Sequence, residues 1–253
     1  MTTQSMERIT IDITSIADRR PDTAYVEAEA LDSRAQERAW LTLLEALPNC
    51  RTGQILYTTV FNRIFDFVGA AILLVLLSPL LLLVAIAIRL ENRGPVLFRQ
   101  PRVGRYGAPF VVWKFRTMIP DRRRNNVPYD GPERRVRHKS RTDPRVTRLG
   151  RLLRSTSIDE LPQLVNVLRG EMSLVGPRPE LPAIVAGYAP WQHQRHLVRP
   201  GITGWWQVRG RSDFPMHEHT ELDIYYVAHK SLWFDLRILV ETVRTVLVRS
   251  GAF

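Results

Sequence analysis

Two adjacent carboxylates, Asp159 and Glu160, lie in the stretch RSTSIDELPQLVNVLRGEMSLVGPRPE. Arg154 precedes the pair, and Arg178 follows it in a turn built from glycine and proline. A carboxylate can attack phosphorus to form an acyl phosphate, and two carboxylates can hold Mg²⁺ beside substrate phosphates. These residue types indicate phosphoryl chemistry, with Asp159 and Glu160 as catalytic and metal-binding candidates.

The same carboxylates also have a purely structural interpretation, as the start of a helix. Ser157 and Glu160 have the S-x-x-E spacing of a capping box, and Asp159 would lie favourably in the first helical turn. The apolar residues that follow have helical spacing, and Gly170 can end the helix. This short window alone favours the capping interpretation, so the choice depends on the rest of the chain.

The composition restricts the possible partners and the kinds of site. The chain has 253 residues and a formal net charge of +11, and residues 93–154 hold 18 Lys and Arg against 4 Asp and Glu. Such an excess predicts anionic partners: nucleic acid, phosphorylated substrates or an acidic membrane surface. The single cysteine, Cys50, excludes an intramolecular disulfide and a thiolate zinc site.

An uncharged run from Phe67 to Ile88 is the most apolar part of the chain. At a rise of about 1.5 Å per residue it could cross a hydrocarbon core of about 30 Å. However, Ser78-Pro79 lies near its middle, where proline kinks or breaks a helix. Both flanks are also basic, and basic flanks prefer the cytoplasm. The residues alone therefore leave a spanning and a re-entrant segment both open, with the Ser78 hydroxyl able to cap a freed carbonyl.

The remaining sequence predicts an α+β fold that is predominantly helical. Two β-rich runs, PVLFRQ and PFVVWKF, are joined by the glycine-containing run PRVGRYGA, which suits a small β-hairpin. Residues 34–47 have helical periodicity, and residues 120–145 have the composition of a long basic loop. The C-terminal run SLWFDLRILVETVRTVLVRSG predicts an amphipathic helix, which could lie on a membrane or pack on the core.

Four blocks, in the same order, give the chain a specific resemblance over about residues 58–253. The sequence resembles bacterial sugar transferases of the monotopic phosphoglycosyl transferase type, also called polyisoprenyl-phosphate hexose-1-phosphate transferases. The first block is the membrane segment together with the hairpin, ending in KFRTM. The others are TDPRVTRLGRLLRSTSIDELPQLVNVLRGEMSLVGPRPE, RPGITGWWQVRGR and ELDIYYVAHKSLWFDLRIL.

The resemblance implies a role for each matching residue. Asp159 matches the nucleophile that takes the phosphosugar from a UDP-sugar, and Glu160 matches its partner, tied to Mg²⁺. Ser78-Pro79 matches the break that makes the membrane helix re-entrant. The resemblance further implies that five residues bind substrate: Lys114, Arg116, Arg154, Arg178 and Asp223.

The implied organisation has three parts. Residues 1–57 form a partly disordered extension, residues 58–92 a re-entrant membrane helix, and residues 93–253 a catalytic domain on the cytoplasmic face of the bacterial inner membrane. The implied reaction joins a UDP-sugar and undecaprenyl phosphate to give undecaprenyl diphosphate–sugar and UMP. It would be the first membrane step in making an exopolysaccharide, capsule, O-antigen or other glycoconjugate.

A rival interpretation rests on charge alone. A non-enzymatic protein tethered to the membrane could bind nucleic acid or anionic lipid through the basic loop at 120–145. That interpretation leaves the carboxylate pair, the GPRP turn and Ser78-Pro79 unexplained. We therefore expect anionic membrane lipids as partners and no nucleic acid.

Overall fold

The computed structural model of the protein describes residues 52–119, 145–209 and 219–247. The described part is mostly helical and carries small two-stranded sheets, as the sequence predicts. The predicted helix at 34–47 and nearly all of the basic loop at 120–145 lie outside the described residues.

The helices and strands of the described part are short, apart from the first and the last helix. Short 3₁₀ helices also occur, at Arg105–Gly107, Ile158–Gln163 and Pro190–Leu197. In chain order, the other elements are α1 (Thr52–Glu91), β1 (Leu97–Val103), β2 (Pro109–Phe115), α2 (Arg148–Ser155), α3 (Leu164–Arg169), β3 (Ser173–Val175), α4 (Pro182–Val185), β4 (Gly201–Thr203), α5 (Trp205–Arg209), α6 (Thr220–His229) and α7 (Leu232–Leu247).

Helix α1 contains the whole apolar run and begins at Thr52, inside the predicted extension. The α-helix continues through Pro79, so the proline does not end it. Proline has no N–H, and this deprives the Val75 carbonyl of its usual partner four residues later. The Ser78 hydroxyl donates to that carbonyl at 2.8 Å, which confirms the predicted capping of a freed group. The re-entrant path itself stays a prediction.

The middle of α1 exposes its apolar side chains. Within the described residues, Phe61–Glu91 is the one helical stretch long and apolar enough to cross a membrane, judged by length and composition. Only 11% of its most apolar window is buried. Val75 and Leu83, on either side of Pro79, are 73% and 65% exposed. A helix in the core of a soluble domain would be mostly buried, so this surface is suited to contact with lipid.

Both ends of the apolar run in α1 are fixed to the same globular unit. Near the N-terminal end, Arg63 donates to the carbonyls of Val167 and Leu168, at the C-terminal end of α3. Near the C-terminal end, the Glu91 carboxylate accepts from the backbone N–H of Leu149 in α2 at 3.2 Å. These bonds hold the two ends of the apolar helix against neighbouring parts of one domain.

A buried carboxylate adds a third anchor for α1. Asp66 is 4% exposed, and its Oδ1 accepts from the Ser173 hydroxyl at 2.9 Å and from the Leu174 N–H at 2.8 Å. One turn further along, Ala70 is fully buried in the main core, which also contains Leu164, Val175 and Tyr226. The apolar helix is therefore packed into the globular unit at its base.

The predicted β-hairpin is confirmed. Strands β1 and β2 pair antiparallel, with Leu97 opposite Phe115 and Val103 opposite Pro109. In the connecting turn, the Gly104 N–H donates to the Ala108 carbonyl at 2.7 Å, and Tyr106 has a φ of 55°. The hairpin places Lys114 near the end of β2, beside the segment that carries Asp159 and Glu160.

One buried amide fixes the hairpin against helix α3. Asn166 has no exposed surface, and its Nδ2 donates to the Val111 carbonyl at 2.7 Å. Its Oδ1 accepts from the Trp113 N–H at 3.2 Å. The side chain thus completes two backbone groups of β2 that have no strand on that side. Asn166 therefore fixes the position of α3, the helix that follows Asp159 and Glu160, relative to β2, the strand that carries Lys114.

The second sheet brings backbones unusually close. Strands β3 and β4 are parallel, and Gly176 directly follows β3 in the GPRP turn. A Cβ atom on Gly176 would lie 2.4 Å from the Arg199 carbonyl oxygen and 2.8 Å from the Gly201 nitrogen. Only glycine allows this approach, because the neighbouring atoms belong to the backbone and cannot move aside. The approach fixes the point from which Arg178 projects.

The predicted amphipathic C-terminal helix is confirmed, and it packs on the core with one face only. Ile238 is fully buried, whereas Trp233 is 81% exposed and Val243 is 59% exposed. The sequence left open whether this helix packs on the core or lies on a membrane. One face of α7 belongs to the core, and the other presents apolar side chains to the surroundings.

The close approach at Gly176 predicts an asymmetric effect of alanine substitutions. Gly176→Ala should cost about 1–3 kcal/mol in free energy of unfolding, because the new methyl group meets backbone atoms. Gly187→Ala is the matched control, since its Cβ would have only an ordinary contact of 3.5 Å. Denaturant unfolding of the purified proteins checks both. Equal stability of the two variants would show that the backbone approach at Gly176 leaves room for a methyl group.

Candidate active site

Glu160 accepts from two cations that come from different parts of the fold. Its Oε1 lies 2.8 Å from Lys114 Nζ on β2 and 2.6 Å from Arg178 Nη2 in the GPRP turn. Arg178 Nη1 also donates to Oε2 at 3.1 Å, which makes a two-pronged contact. Glu160 is 8% exposed, so these charges attract one another in a region with little water. The arrangement gathers three predicted site residues, Lys114, Glu160 and Arg178, into one group, the Glu160 cluster.

The capping-box interpretation of Glu160 is wrong. Ser157 has the left-handed conformation, with a φ of 59°, and its side chain makes no capping hydrogen bond. The segment Ile158–Gln163 forms a 3₁₀ helix, and α3 starts only at Leu164. The Glu160 side chain instead faces Lys114 and Arg178. The predicted end of the helix is confirmed, because Gly170 has a φ of 85°.

Asp159 is also buried, with 5% of its surface exposed. Its charge acts on both Lys114 and Arg178, which places it within the electrostatic reach of the same two cations. Asp159 therefore lies next to Glu160 in the same buried, charged region of the fold.

The two cations of the cluster differ in how firmly they keep their charge. Burial lowers the pKa of Lys114 to about 8, and the attraction of Glu160 opposes only part of that effect. For Arg178, the attraction of Glu160 outweighs burial and raises the pKa. Arg178 is therefore a permanent positive charge, whereas Lys114 can lose its proton at a mildly alkaline pH.

A buried ion pair supports the turn that carries Arg178. Arg195 Nη2 donates to the Arg178 carbonyl at 2.7 Å and to Asp223 Oδ2 at 2.6 Å. Both side chains of the ion pair are 1% exposed. Asp223, a predicted substrate-binding residue, is thus placed behind the Glu160 cluster, where it acts on Arg178 through Arg195. Sequence reasoning missed Arg195, because the polar and aromatic run around it has no spacing that indicates a site.

A second ion pair supports the same turn from the hairpin side. Arg102 on β1 donates to the Pro179 carbonyl at 3.1 Å and to Glu180 Oε1 at 3.3 Å. Burial lowers the pKa of Arg102 to about 10, although Glu180 opposes the shift. The Val103 N–H also donates to the Glu180 carbonyl at 3.0 Å. Sequence reasoning missed this pair as well, although Glu180 directly follows the GPRP turn.

The other two predicted phosphate-binding residues lie elsewhere. Arg116 Nη2 donates to the Asn92 carbonyl at 2.9 Å, just after the end of α1. Burial and the nearby charge of Arg89 lower its pKa. Arg154 Nε donates to the Thr117 hydroxyl at 2.8 Å. The structure therefore places these arginines at the junction between α1, β2 and α2.

The oxygen ligands and the charge of the site determine whether Mg²⁺ can bind there. Within the described residues, no group of three or more potential metal ligands occurs, so Asp159 and Glu160 cannot form a complete protein cage. Mg²⁺ commonly takes one or two carboxylates and completes its shell with substrate phosphates, and this donor pair matches that pattern. Within the described part of the chain, the four carboxylates Asp159, Glu160, Glu180 and Asp223 equal in number the four cations Lys114, Arg102, Arg178 and Arg195. A bound diphosphate would add uncompensated negative charge, which a divalent cation can neutralise.

Comparison with known proteins decides the family. Residues 57–249 match the family model described as bacterial sugar transferase. The chain belongs to this family. It is 48% identical over 200 residues to a UDP-glucose:undecaprenyl-phosphate glucose-1-phosphate transferase of Caulobacter vibrioides, a match that covers 76% of this chain and 72% of that protein.

Other relatives of this bacterial sugar transferase carry names that differ in the sugar. It is 46% identical over 204 residues to an undecaprenyl-phosphate glucose phosphotransferase of Komagataeibacter xylinus; this match covers 76% of the chain but only 37% of that relative. It is 38% identical over 220 residues to a UDP-N-acetylgalactosamine-undecaprenyl-phosphate N-acetylgalactosaminephosphotransferase of Aeromonas hydrophila, covering 83% of the chain and 49% of the relative. The chain thus spans less than half the length of these two relatives.

The buried ion pair predicts that Asp223 acts on structure as well as on the site. Asp223→Ala should cost about 3–5 kcal/mol in free energy of unfolding, because Arg195 would be left buried without its counter-charge. Replacing both residues, with Asp223→Leu and Arg195→Met, should recover most of that loss. Denaturant unfolding measures both variants. A single variant with wild-type stability but little activity would instead assign Asp223 to substrate contact.

Proposed function

We propose that the protein transfers a sugar 1-phosphate from a UDP-sugar to undecaprenyl phosphate, releasing UMP. The observation that carries the proposal is the buried pair Asp159 and Glu160, held beside Lys114 and Arg178 in a chain with an exposed apolar helix. The names of the relatives support the same reaction class. Synthesis of an exopolysaccharide, capsule, O-antigen or other glycoconjugate would use the product.

In the first step, an oxygen of the Asp159 carboxylate attacks the β-phosphorus of the UDP-sugar. The bond from that phosphorus to the bridging oxygen breaks, and UMP leaves with this oxygen. The phosphosugar is then an acyl phosphate on Asp159. In the second step, an oxygen of undecaprenyl phosphate attacks the same phosphorus. The bond to Asp159 breaks, which restores the carboxylate and yields undecaprenyl diphosphate–sugar.

The cations of the Glu160 cluster position and neutralise the phosphates. Phosphoryl transfer depends mainly on alignment and charge stabilisation, with little covalent work for the protein beyond the nucleophile. Arg178 offers a planar group that can contact two phosphate oxygens, and Lys114 offers a point charge. Glu160 holds both cations in place before substrate arrives, so that their side chains lose less freedom when the diphosphate binds.

Asp159 and Glu160 would hold Mg²⁺, which would supply two positive charges to a diphosphate bound in an otherwise balanced site. The Glu160 oxygens already accept from Lys114 and Arg178. Glu160 would therefore contact both the metal and the two cations. Substrate phosphates would replace part of the contact between Glu160 and Arg178.

The re-entrant path of α1 belongs to the same proposal. Arg63 and Glu91 are 28 positions apart, which corresponds to about 42 Å of straight helix, yet both contact the same globular unit. A segment that crossed the bilayer would place its ends on opposite faces, about 30 Å or more apart. The anchors at both ends therefore support a helix that enters and leaves on one face. A cytoplasmic location would give the site access to UDP-sugars.

A membrane-tethered binder of nucleic acid or anionic lipid is the weaker alternative. Its main support, the basic loop at 120–145, lies almost entirely outside the described residues. It gives no reason for burying Asp159 and Glu160 at 5% and 8% exposure, since carboxylates repel anionic polymers. The carboxylate pair thus favours the transferase.

The covalent step predicts a labelled protein. Wild-type protein, incubated with UDP-sugar labelled with ³²P at the β-phosphate and Mg²⁺ but no lipid acceptor, should carry label on the peptide containing Asp159 after a rapid quench. Asp159→Asn keeps the shape but removes the nucleophile, so it should fold and carry no label. Mass spectrometry of the digest locates the modification. Full turnover by Asp159→Asn would contradict the mechanism.

The lowered pKa of Lys114 predicts a pH dependence. The side chain is charged below about pH 8 and loses its proton as the pH rises through that value. The kcat/KM for UDP-sugar should therefore fall above about pH 8, by about tenfold or more. Lys114→Arg keeps the charge at every pH measured and should remove this fall, even if its rate is lower. An unchanged pH profile in Lys114→Arg would exclude Lys114 as its source.

The anchored ends of α1 predict a one-sided topology. In a Cys50→Ser background, single cysteines from Ile55→Cys and Pro95→Cys should both resist a membrane-impermeant maleimide in intact cells. Both should react after the inner membrane is opened. Pro79→Leu restores a continuous helical hydrogen-bond pattern and should shift part of the population towards a spanning state. Labelling of position 55 from outside intact wild-type-like cells would mean that α1 crosses the bilayer.

A further inference from the structure

A polar cavity lies at the base of α1, and it shares no residue with the Glu160 cluster. Its volume, including the open mouth, is about 320 Å³. The polar side chains that line it are Asn62, Asp66, Arg105, Ser173, Arg199 and Lys230. Three cations thus face one carboxylate, a formal excess of two positive charges.

The carboxylate in the cavity is already committed. Asp66 Oδ1 accepts from the Ser173 hydroxyl and the Leu174 N–H, as described above. Within the described residues, none of the three cations has a carboxylate within 4.0 Å. Each donates instead to a neutral oxygen: Arg105 to the Leu197 carbonyl, Arg199 to the Gly170 carbonyl and Lys230 to the Tyr226 hydroxyl.

The grouping of these cations is costly in the absence of an anion. Burial lowers the pKa of Lys230, and the charges of Arg199 and Arg105 lower it further, against the opposing effect of Asp235 and Asp66. Burial and the charges of Arg105 and Arg63 likewise lower the pKa of Arg199. The three cations are half-buried and lie close to one another, so this cluster has the electrostatics of a site that an anion would complete.

A second, independent observation comes from Asn62. This residue lines the same cavity and is only 7% exposed, and within the described part of the chain its Nδ2 has no hydrogen-bond partner. A buried amide donor without an acceptor is unfavourable, and it is rare unless a ligand or a water completes it. The donor is therefore available to an acceptor that enters the cavity.

We propose that this cavity binds the phosphate group of a membrane lipid. Phosphate supplies several acceptor oxygens and one or two negative charges, which match the Asn62 donor and the three cations. The neighbouring face of α1 favours a lipid as the source, because Phe61, Ile64 and Phe67 are 59%, 60% and 51% exposed. Acyl chains can lie on that apolar surface while the phosphate enters the cavity. Free phosphate has the same headgroup chemistry without the chains.

Ligand-dependent thermal stability of the full chain in detergent tests the proposal. The probes are dioctanoyl phosphatidic acid, inorganic phosphate and dioctanoylglycerol, which has the chains but no phosphate. The test variants are Asn62→Leu and Lys230→Met. The matched control is Arg151→Gln, which removes an exposed arginine on α2. Arg178→Ala is included to separate binding in this cavity from binding at the Glu160 cluster.

Phosphatidic acid should raise the unfolding midpoint of the wild type saturably, and dioctanoylglycerol should not. Its apparent Kd should be at least about tenfold weaker in Asn62→Leu and Lys230→Met, and unchanged in Arg151→Gln and Arg178→Ala. Without ligand, Asn62→Leu should melt no lower than wild type, because it removes an unpaired buried donor. This control shows that loss of binding does not result from misfolding.

The two sources of phosphate give different results with inorganic phosphate. Stabilisation by inorganic phosphate with the same dependence on Asn62 and Lys230 would support the cavity as a general phosphate site. Stabilisation by phosphatidic acid alone would support a lipid site that needs the chains. Equal stabilisation of all variants, or loss only in Arg178→Ala, would overturn the proposal. Because the assay measures binding, its result is independent of whether Asp159 is the nucleophile.

Discussion

The Glu160 carboxylate is the charge on which the organisation of the site depends. Lys114 comes from the hairpin, Arg178 from the GPRP turn, and Glu160 from the 3₁₀ segment before α3, so one acid group joins three distant parts of the chain. These side chains are largely removed from water, and removing the acid would deprive two nearby positive charges of their direct ion-pair partner. A buried ion pair is favourable only when its geometry is good, and the surrounding fold provides that geometry by fixing the backbone near each of the three side chains.

Each of those points has its own support. Asn166 forms hydrogen bonds with backbone groups on the unpaired edge of β2, the strand that carries Lys114. The Arg195–Asp223 pair holds the carbonyl of Arg178, and Arg102 holds the residues just after it. The site is therefore surrounded by a second set of buried polar contacts, which hold Lys114 and Arg178 in place around Glu160. Such preorganisation is where electrostatic stabilisation of a reacting phosphate is most effective.

The sequence allowed prediction of the elements whose signals are local. The hairpin follows from two β-rich runs with glycines between them, the end of α3 from Gly170, and the C-terminal helix from its apolar periodicity. The carboxylate pair with Lys114 and Arg178 was predicted from the motif, and the structure brings three of these four into direct contact. The capping box failed because Ser157 adopts a left-handed conformation, and an S-x-x-E spacing does not reveal that conformation.

Contacts between residues distant in sequence could not be predicted in the same way. Arg116 and Lys114 are two positions apart, yet Arg116 turns to the Asn92 carbonyl at the end of the hairpin, where strand pairing stops. Asp223 carries a charge that suits a site, but its partner Arg195 lies 28 positions away, within a run that has no repeated spacing. Only the packing of α6 against the 3₁₀ helix Pro190–Leu197 brings them together.

The anchoring of α1 has a consequence for the order in which the protein is made. Asp66 lies 108 positions before its partner Leu174, so the ribosome must add that many residues before the carboxylate meets its donors. At about 5–20 residues per second, this takes roughly 5–20 s. During that interval the Asp66 carboxyl group at the base of the apolar helix lacks Ser173 and Leu174 and must be solvated in another way. The globular unit therefore completes the base of α1 only late in synthesis.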